Sequence, residues 1–297
     1  MRHQLRYQLS ENDGEMRVSA ILSKKMGLTR RQISRLKYIP DGITCNGKQV
    51  RTDTIARADD IICAALDLGK RFTPTSDDFP RIPLHILKES EDWIALHKPS
   101  GMTLHPTHGH YYDTMSVQLD ALLKEQEKAC SLHTIGRLDK DTSGIQLFAR
   151  NPIAAARLSQ QREQGKLYKE YVALIHGICP ESGVIDAPIA KKEGALNRMT
   201  CSPHGKPAHT AYVRLKQGKD CSLIRLRLQS GRTHQIRVHM AAMGHPLLGD
   251  PIYGIPDNVP RLCLHADTLR FLDPFANKAI LIHCRDERFD AICASWL

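Results

Sequence analysis

The sequence has no Cys-x-x-Cys pair, although nine cysteines are scattered through it as Cys45, Cys63, Cys130, Cys179, Cys201, Cys221, Cys263, Cys284 and Cys293. An odd, unpatterned set argues against a disulfide framework and predicts free thiols in a reducing compartment. No apolar run is long enough to span a bilayer, and Met1-Arg2-His3-Gln4-Leu5-Arg6 lacks the apolar core of a signal peptide. The expectation is a cytoplasmic protein with no membrane partner. No internal repeat or low-complexity tract stands out either. Acidic residues are comparatively scarce: 32 Asp and Glu face 42 Lys and Arg, for a formal net charge of +10. Surplus cations gain affinity for phosphate backbones by releasing condensed counterions, so an acidic partner is expected, nucleic acid being the commonest.

A chain of 297 residues, 41% hydrophobic and 25% charged, fits one large globular domain with a companion, or two of ordinary size. The segment from Gly69 to Pro83 holds three prolines among mixed polar residues and suits a linker. This divides the chain into residues 1–70, a linker over 71–83, and a larger part over 84–297.

In the first part, Thr29 reads as the N-cap of a helix through Arg30-Arg31-Gln32-Ile33-Ser34-Arg35-Leu36-Lys37, with Ile33 and Leu36 on one face and cations on the rest. Ile43 to Val50 reads as a hairpin, because Asn46-Gly47 favours a tight turn with positive φ. A basic helix followed by a basic hairpin makes either a phosphate grip, through Arg30, Arg31, Arg35 and Lys48, or a solvated charged face.

The second part alternates strands and helices. Asn151-Pro152 is a helix start and Gly165 a stop; Tyr168 to Ile175 is rich in β-formers. In Ile224-Arg225-Leu226-Arg227-Leu228 apolar residues alternate with arginine, which predicts a strand with one packed and one cationic face, suited to a nucleic-acid cleft. Thr233 is taken as the N-cap of a helix that ends at Gly244 and Pro246 and packs through Ile236, Met240 and Met243. Arg237 falls near its first turn, where a carboxylate or phosphate should sit.

The richest segment is Gly136-Arg137-Leu138-Asp139-Lys140-Asp141-Thr142-Ser143-Gly144, followed by the apolar Ile145-Gln146-Leu147-Phe148-Ala149. It puts a carboxylate flanked by two cations on a polar turn that leads into a buried strand. Such turns on rigid elements carry chemistry, and an anion hemmed by Arg and Lys keeps its charge. Asp139 is the first catalytic candidate, with Asp141 beside it. His105, His108 and His110 lack a recognisable ligand set, so no metal is expected there. His234 and His239 read as helix-surface or hydrogen-bonded histidines.

The first seventy residues resemble the small S-four-like RNA-binding domain, through Leu28-Thr29-Arg30-Arg31, Cys45-Asn46-Gly47-Lys48 and Asp60-Ile61-Ile62. They depart from it at Thr29, where Ser is common, and at Asp59, where Gly is common. The rest resembles the RluA-type RNA pseudouridine synthases through four ordered segments: His97-Lys98-Pro99-Ser100-Gly101; Arg137 to Gly144; Lys169-Glu170-Tyr171-Val172-Ala173; and Gly231 to His239 with Gly244 to Asp250. Gly136 departs from this pattern, which usually opens the Asp segment with His.

The resemblance implies an α+β protein: a mixed, mainly antiparallel sheet catalytic domain with a small N-terminal α/β RNA-binding domain. It implies isomerisation of uridine to pseudouridine in RNA, without cofactor or metal, by a protein working as a monomer. Large-subunit ribosomal RNA is the substrate it favours, with transfer RNA next. Asp139 matches the family's catalytic Asp, Arg237 the residue that pairs with it, and Tyr171 the aromatic residue at the base. Arg137 matches the residue that fills the space left by the flipped nucleotide, and Ile236 packs against the base. Asp141 then becomes a supporting turn residue. Two rivals are a noncatalytic RNA clamp, which needs cations but no Asp between them, and a metal-dependent hydrolase, for which the histidine segments lack carboxylate ligands.

Overall fold

The computed structural model describes residues 4–36, 41–65, 79–106, 110, 112–195 and 197–297; the Arg35 side chain, Lys37, His108 and linker residues 71–78 lie outside this set. The first 65 residues build a sheet of their own, in which β1 (Gln4–Gln8), β6 (Ile61–Ala65), β3 (Ile43–Cys45) and β4 (Lys48–Gln49) pair in that order. β2 (Met16–Arg17) pairs with β5 (Ile55–Ala56), while α1 (Val18–Ala20) runs into a π-helical turn over Ile21–Lys25 and precedes α2 (Arg30–Leu36). Thr29 caps α2 reciprocally: its hydroxyl accepts the Gln32 amide at 3.3 Å, and the Gln32 side chain accepts the Thr29 amide at 2.7 Å. Asn46 and Gly47, at φ of 50° and 79°, make the expected hairpin turn. Arg30, Arg31 and Lys48 are exposed.

The core of this unit, built from Leu9, Val18, Ile21, Leu22, Leu36, Ile62 and their neighbours, also takes in Ile153 from the larger part. Gln32 donates to the Pro152 carbonyl at 2.7 Å, and the Arg157 guanidinium donates to the Met26 carbonyl. The C-terminal end of the expected linker, residues 79–83, is docked. Phe79 stacks on Tyr112 at 5.2 Å, and Gln118, buried on α3 (Met115–Glu125), donates to the Pro80 carbonyl and accepts the Ile82 amide, both at 3.0 Å. Residues 79–83 are therefore fastened to α3, because one buried glutamine satisfies the backbone groups that a free linker would leave to water.

The larger part is built on ten strands: β7 (His85–Glu89), β8 (Trp93–Lys98), β9 (His133–Ile135), β10 (Ser143–Ala149), β11 (Tyr168–His176), β12 (Ser182–Asp186), β15 (His209–Gln217), β16 (Cys221–Leu228), β17 (Leu264–Leu272) and β18 (Ala279–His283). They follow the order β12-β15-β16-β11-β17-β10-β8-β7, with β18 added to β17 and β9 to β10; β13 (Ile189–Lys191) and β14 (Met199–Cys201) form a separate hairpin. Only the β10–β17 pair is parallel among these described pairings. This is the mixed, mainly antiparallel architecture that the resemblance implied. β10 is buried at every residue, as its apolar sequence requires.

Three further helices complete this part: α4 (Pro152–Glu163), α5 (Gln235–Ala242) and α6 (Glu287–Trp296). Asn151 caps α4 by accepting the Ile153 and Ala154 amides at 3.1 and 2.8 Å, and Gly165 follows its end at φ 69°. No helix among the described residues is long and apolar enough to cross a membrane. All nine cysteines are free thiols.

The cationic strand face does not lie where a cleft at Tyr171 would need it. In β16, Ile224 and Leu226 are fully buried while Arg225 and Arg227 point out, as the alternation predicts. Leu226 pairs with Tyr171, whereas Arg227 pairs with Glu170 and Arg225 with Val172. Directly paired residues share a face, so the arginines project from the side opposite Tyr171. There Arg225 lines a groove of about 250 Å³ with Glu170, Asp267 and Arg270, and the Arg227 guanidinium stacks over the Tyr168 ring. Alternation fixes that a strand has two faces, but not which of them carries the site.

Candidate active site

Asp139 sits on the turn between β9 and β10, and glycine shapes the turn's exit. Gly144 adopts φ 116°, and a Cβ there would lie 2.3 Å from the Ala266 carbonyl oxygen; only glycine lets β10 come close enough to begin its parallel pairing with β17. The turn's backbone is gripped by Lys98 at the end of β8. This fully buried ammonium donates to the carbonyls of Lys140 at 2.6 Å, Met102 at 2.8 Å and Pro99 at 2.9 Å. Ser100 Oγ donates to the Asp141 carbonyl at 2.6 Å and the Gly101 amide to the Lys140 carbonyl at 3.0 Å. The Lys-Pro turn is thus a clamp on the Asp139 loop, with Asp141 among its gripped residues. Burial pulls the Lys98 ammonium down to about 7, against the nearby charges of Asp141 and Asp139.

The Asp139 side chain keeps 31% of its surface open and faces His234, whose Nε2 lies 4.0 Å from the carboxylate. His234, not Thr233, is the N-cap residue of α5, and it is left-handed at φ 56°. The turn before the helix is closed by Gln235: its amide donates to the Arg232 carbonyl at 3.2 Å, and its Oε1 accepts the Arg232 amide at 3.0 Å and the Ser230 hydroxyl at 2.9 Å. Freed from capping, the imidazole turns Nδ1 to the Tyr253 hydroxyl at 2.9 Å, which itself accepts the Met199 amide at 2.8 Å. Burial, outweighing the pull of Asp139, pushes His234 below the ordinary imidazole range, so a neutral ring faces the carboxylate at neutral pH.

Tyr171 lies where β11 slips register against β17, between Glu170 and Val172. A bulge of this kind re-aims a side chain beside a site. Tyr171 packs on a cluster that contains Leu226, Met240 and Ile236, the last only 4% exposed. Ile236 belongs to the same buried cluster that Tyr171 packs against. Burial and then the charge of Asp139 push the Tyr171 phenol up, keeping it neutral. Lys169, on the same face of β11, is pulled down to about 7 by the enclosing protein and by the neighbouring charges of Arg162 and Lys98.

Arg237 requires a correction. The resemblance pairs it with Asp139, but its hydrogen-bonded partner is Asp250: Nε donates to Oδ2 at 2.7 Å and Nη2 to Oδ1 at 2.6 Å, with side chains 2% and 0% exposed. Asp250 is the anion expected at this helix start, and a planar fork meets a carboxylate best edge to edge. Burial opposes the guanidinium charge, yet Asp250, with Asp139 adding, holds it above the ordinary range. Asp139 thus feels Arg237 through its field. Arg137 stays exposed near His105, which burial and the Arg137 charge together push down. Arg30, Arg31 and Lys48 belong to the N-terminal sheet unit and are not part of this constellation.

Sequence reasoning left Lys98, Asp250 and Tyr253 without roles and gave His234 none in the site, although the first two lie in the quoted segments. Their roles come from partners 42, 13 and 19 positions away, which a linear pattern does not display. Of the histidines weighed for metal, His105 bonds Thr134 at 2.7 Å and His110 meets Asp113 at 2.5 Å and Lys140 at 3.2 Å. A second group, His97, His265 and Asp286, gathers its ligand atoms within 4.8 Å. Arg261 already donates to Asp286 at 2.6 Å, and both His265 nitrogens are engaged, by Ser143 at 2.7 Å and the Cys284 carbonyl at 2.9 Å. That donor set is a brace on the start of β10 rather than an open cation cage.

A family model described as RNA pseudouridylate synthase matches residues 92–242, which contain Asp139, Tyr171 and Arg237. The chain is 38% identical over 226 residues to "Ribosomal large subunit pseudouridine synthase D" of Nitrosomonas europaea, a match covering 72% of this chain and 65% of that protein. It is 32% identical over 289 residues to the protein of the same name in Escherichia coli, covering 95% and 86%. Among solved structures, human RNA Pseudouridylate Synthase Domain Containing 1 superposes with a TM-score of 0.60 at 27% identity, over 72% of this chain and 88% of that one. Fold, sequence match and motif order agree, and the chain belongs to the RNA pseudouridylate synthase family.

Proposed function

We propose that the protein converts specific uridines of large-subunit ribosomal RNA to pseudouridine, with Asp139 as the catalytic carboxylate. The observation that carries this reading is the setting of Asp139: it is open to a ligand on a loop pinned by a buried lysine, with a neutral imidazole 4.0 Å away. Preorganised charge on a rigid loop is what a reaction at a sugar carbon demands. The isomerisation breaks the bond from ribose C1′ to uracil N1, turns the ring and joins C1′ to C5; N1 gains a proton and C5 loses one. Asp139 starts it either by adding to the sugar or by deprotonating it.

Tyr171, packed against the cluster that contains Ile236, offers a face to the uracil, a stack worth about 1 to 3 kcal/mol. Arg237, fixed by Asp250, holds a positive charge behind the Asp139 loop, and Arg137 at the exposed end of the loop fills the gap left by the flipped nucleotide. The ribosomal substrate is the one that the names of the bacterial relatives carry. Residues 1–70 act as an S-four-like grip on the same RNA through Arg30, Arg31, Arg35 and Lys48, and the protein works in the cytoplasm as a monomer, without cofactor. Tritium release from C5-labelled uridine in an unmodified ribosomal transcript tests this directly. Asp139→Asn should release none while binding the transcript like the wild type; release by the variant would refute the assignment.

A further inference from the structure

We propose that Arg162 forms a phosphate-binding subsite at the start of the Asp139 loop, taking the backbone phosphodiester beside the target uridine. The proposal rests on the pseudouridine synthase reading of this site. Arg162 lies in the last turn of α4, and β9 leads straight into Gly136. Gly136 is the position where this chain departs from the family pattern. It adopts φ 65°, and a Cβ built on it would stand 3.3 Å from Arg162 Nη1 and 3.8 Å from Arg162 Cδ. The guanidinium thus lies over the glycine, at the root of the catalytic loop, in space that a side chain at 136 would contest.

Its charge also acts on Tyr171 and Lys169 of β11. The Arg162 side chain is exposed and makes no hydrogen bond or ion pair among the described residues. Of the other arginines with charge near the site, Arg237 is committed to Asp250 and Arg261 to Asp286 and Ser143, while Arg137 stands exposed at the end of the Asp139 loop. An uncommitted guanidinium whose charge acts on Lys169 offers an exposed positive group to an anion. An RNA substrate brings its phosphates there, and the planar fork of arginine suits two phosphate oxygens.

A cation in the last helical turn also complements the helix dipole, so the test must separate binding from helix support. Equilibrium binding of an unmodified ribosomal transcript is measured against salt for wild type, Arg162→Gln and Arg162→Lys, each also followed by thermal melting. Arg162→Gln should weaken binding about tenfold at low salt and reduce the slope of log affinity against log salt by about 0.7 to 0.9, the signature of one lost phosphate contact. Arg162→Lys should restore most of the slope. An unchanged slope in Arg162→Gln, with or without a lower melting temperature, overturns the proposal. Tritium release by the wild-type protein, run in parallel, reports separately on the reading of the site: its absence would refute the synthase assignment, whatever the slope does.

Discussion

Replacing Arg237 with Met should destabilise the fold by about 3 to 5 kcal/mol, because it strands the buried Asp250 carboxylate. The pair is 2% and 0% exposed and is joined by two charge-assisted hydrogen bonds of 2.6 and 2.7 Å. Asp250 also accepts the Ile252 and Tyr253 amides at 2.9 and 3.0 Å. Asp250→Leu therefore loses two further bonds at about 1 kcal/mol each and should cost about 5 to 7 kcal/mol. The double variant removes both charges at once and should cost less than the sum of the singles by about 2 kcal/mol or more. Arg225→Met on the reverse face, where a 47% exposed side chain lies 3.8 Å from Glu170, should cost less than about 1 kcal/mol. Urea denaturation of the four proteins at one pH measures the cycle. Additivity within about 0.5 kcal/mol, or a cost below about 1 kcal/mol for Arg237→Met, would show that the pair is not the anchor of α5.

Two other outcomes follow from charge. Burial lowers the folded-state values of His105, His234, His239 and His265 from 6.5, so the unfolded chain binds more protons in that window and stability should be lost as pH falls below about 6.5. Urea midpoints between pH 7.5 and 5 check this, and a flat profile contradicts it; His239→Gln should shallow the decline. The triple change Arg30→Ala, Arg31→Ala, Lys48→Ala should weaken RNA binding and lower its salt slope by about 0.7 to 0.9 per lost contact, whereas an unchanged slope would remove the S-four-like grip. Charge removal is the better perturbation than truncation, because Ile153 and Pro152 lie against the N-terminal core and deletion would uncover them.

The catalytic candidates were legible because the chemistry restricts residue types. Asp139 between cations, Tyr171 in a β-prone run and Arg237 at a helix start each stand out locally, and four ordered segments point to one family. What misled was geometry that the line of residues leaves free. The Thr233 cap failed because the helix starts one residue later, after a left-handed His234, with Gln235 closing the preceding turn onto Arg232. The alternation of Arg225 and Arg227 predicted a cationic face but not that it turns away from Tyr171, because alternation does not say which face carries the site. Part of the linker proved to be docked because Gln118, some 36 positions on, supplies its hydrogen bonds.

The sequence alone determined the element types, the hairpin at Asn46-Gly47, the free thiols, the family and the candidate carboxylate, since local propensity and chemically constrained side chains leave their marks within a few residues. Only the tertiary structure decided that Lys98 clamps the Asp139 loop, that Arg237 belongs to Asp250, that the arginine row turns away from Tyr171, and that Arg162 lies over Gly136. Each of these joins atoms from different elements, and a buried charge takes whichever partner the packed chain brings within about 3 Å.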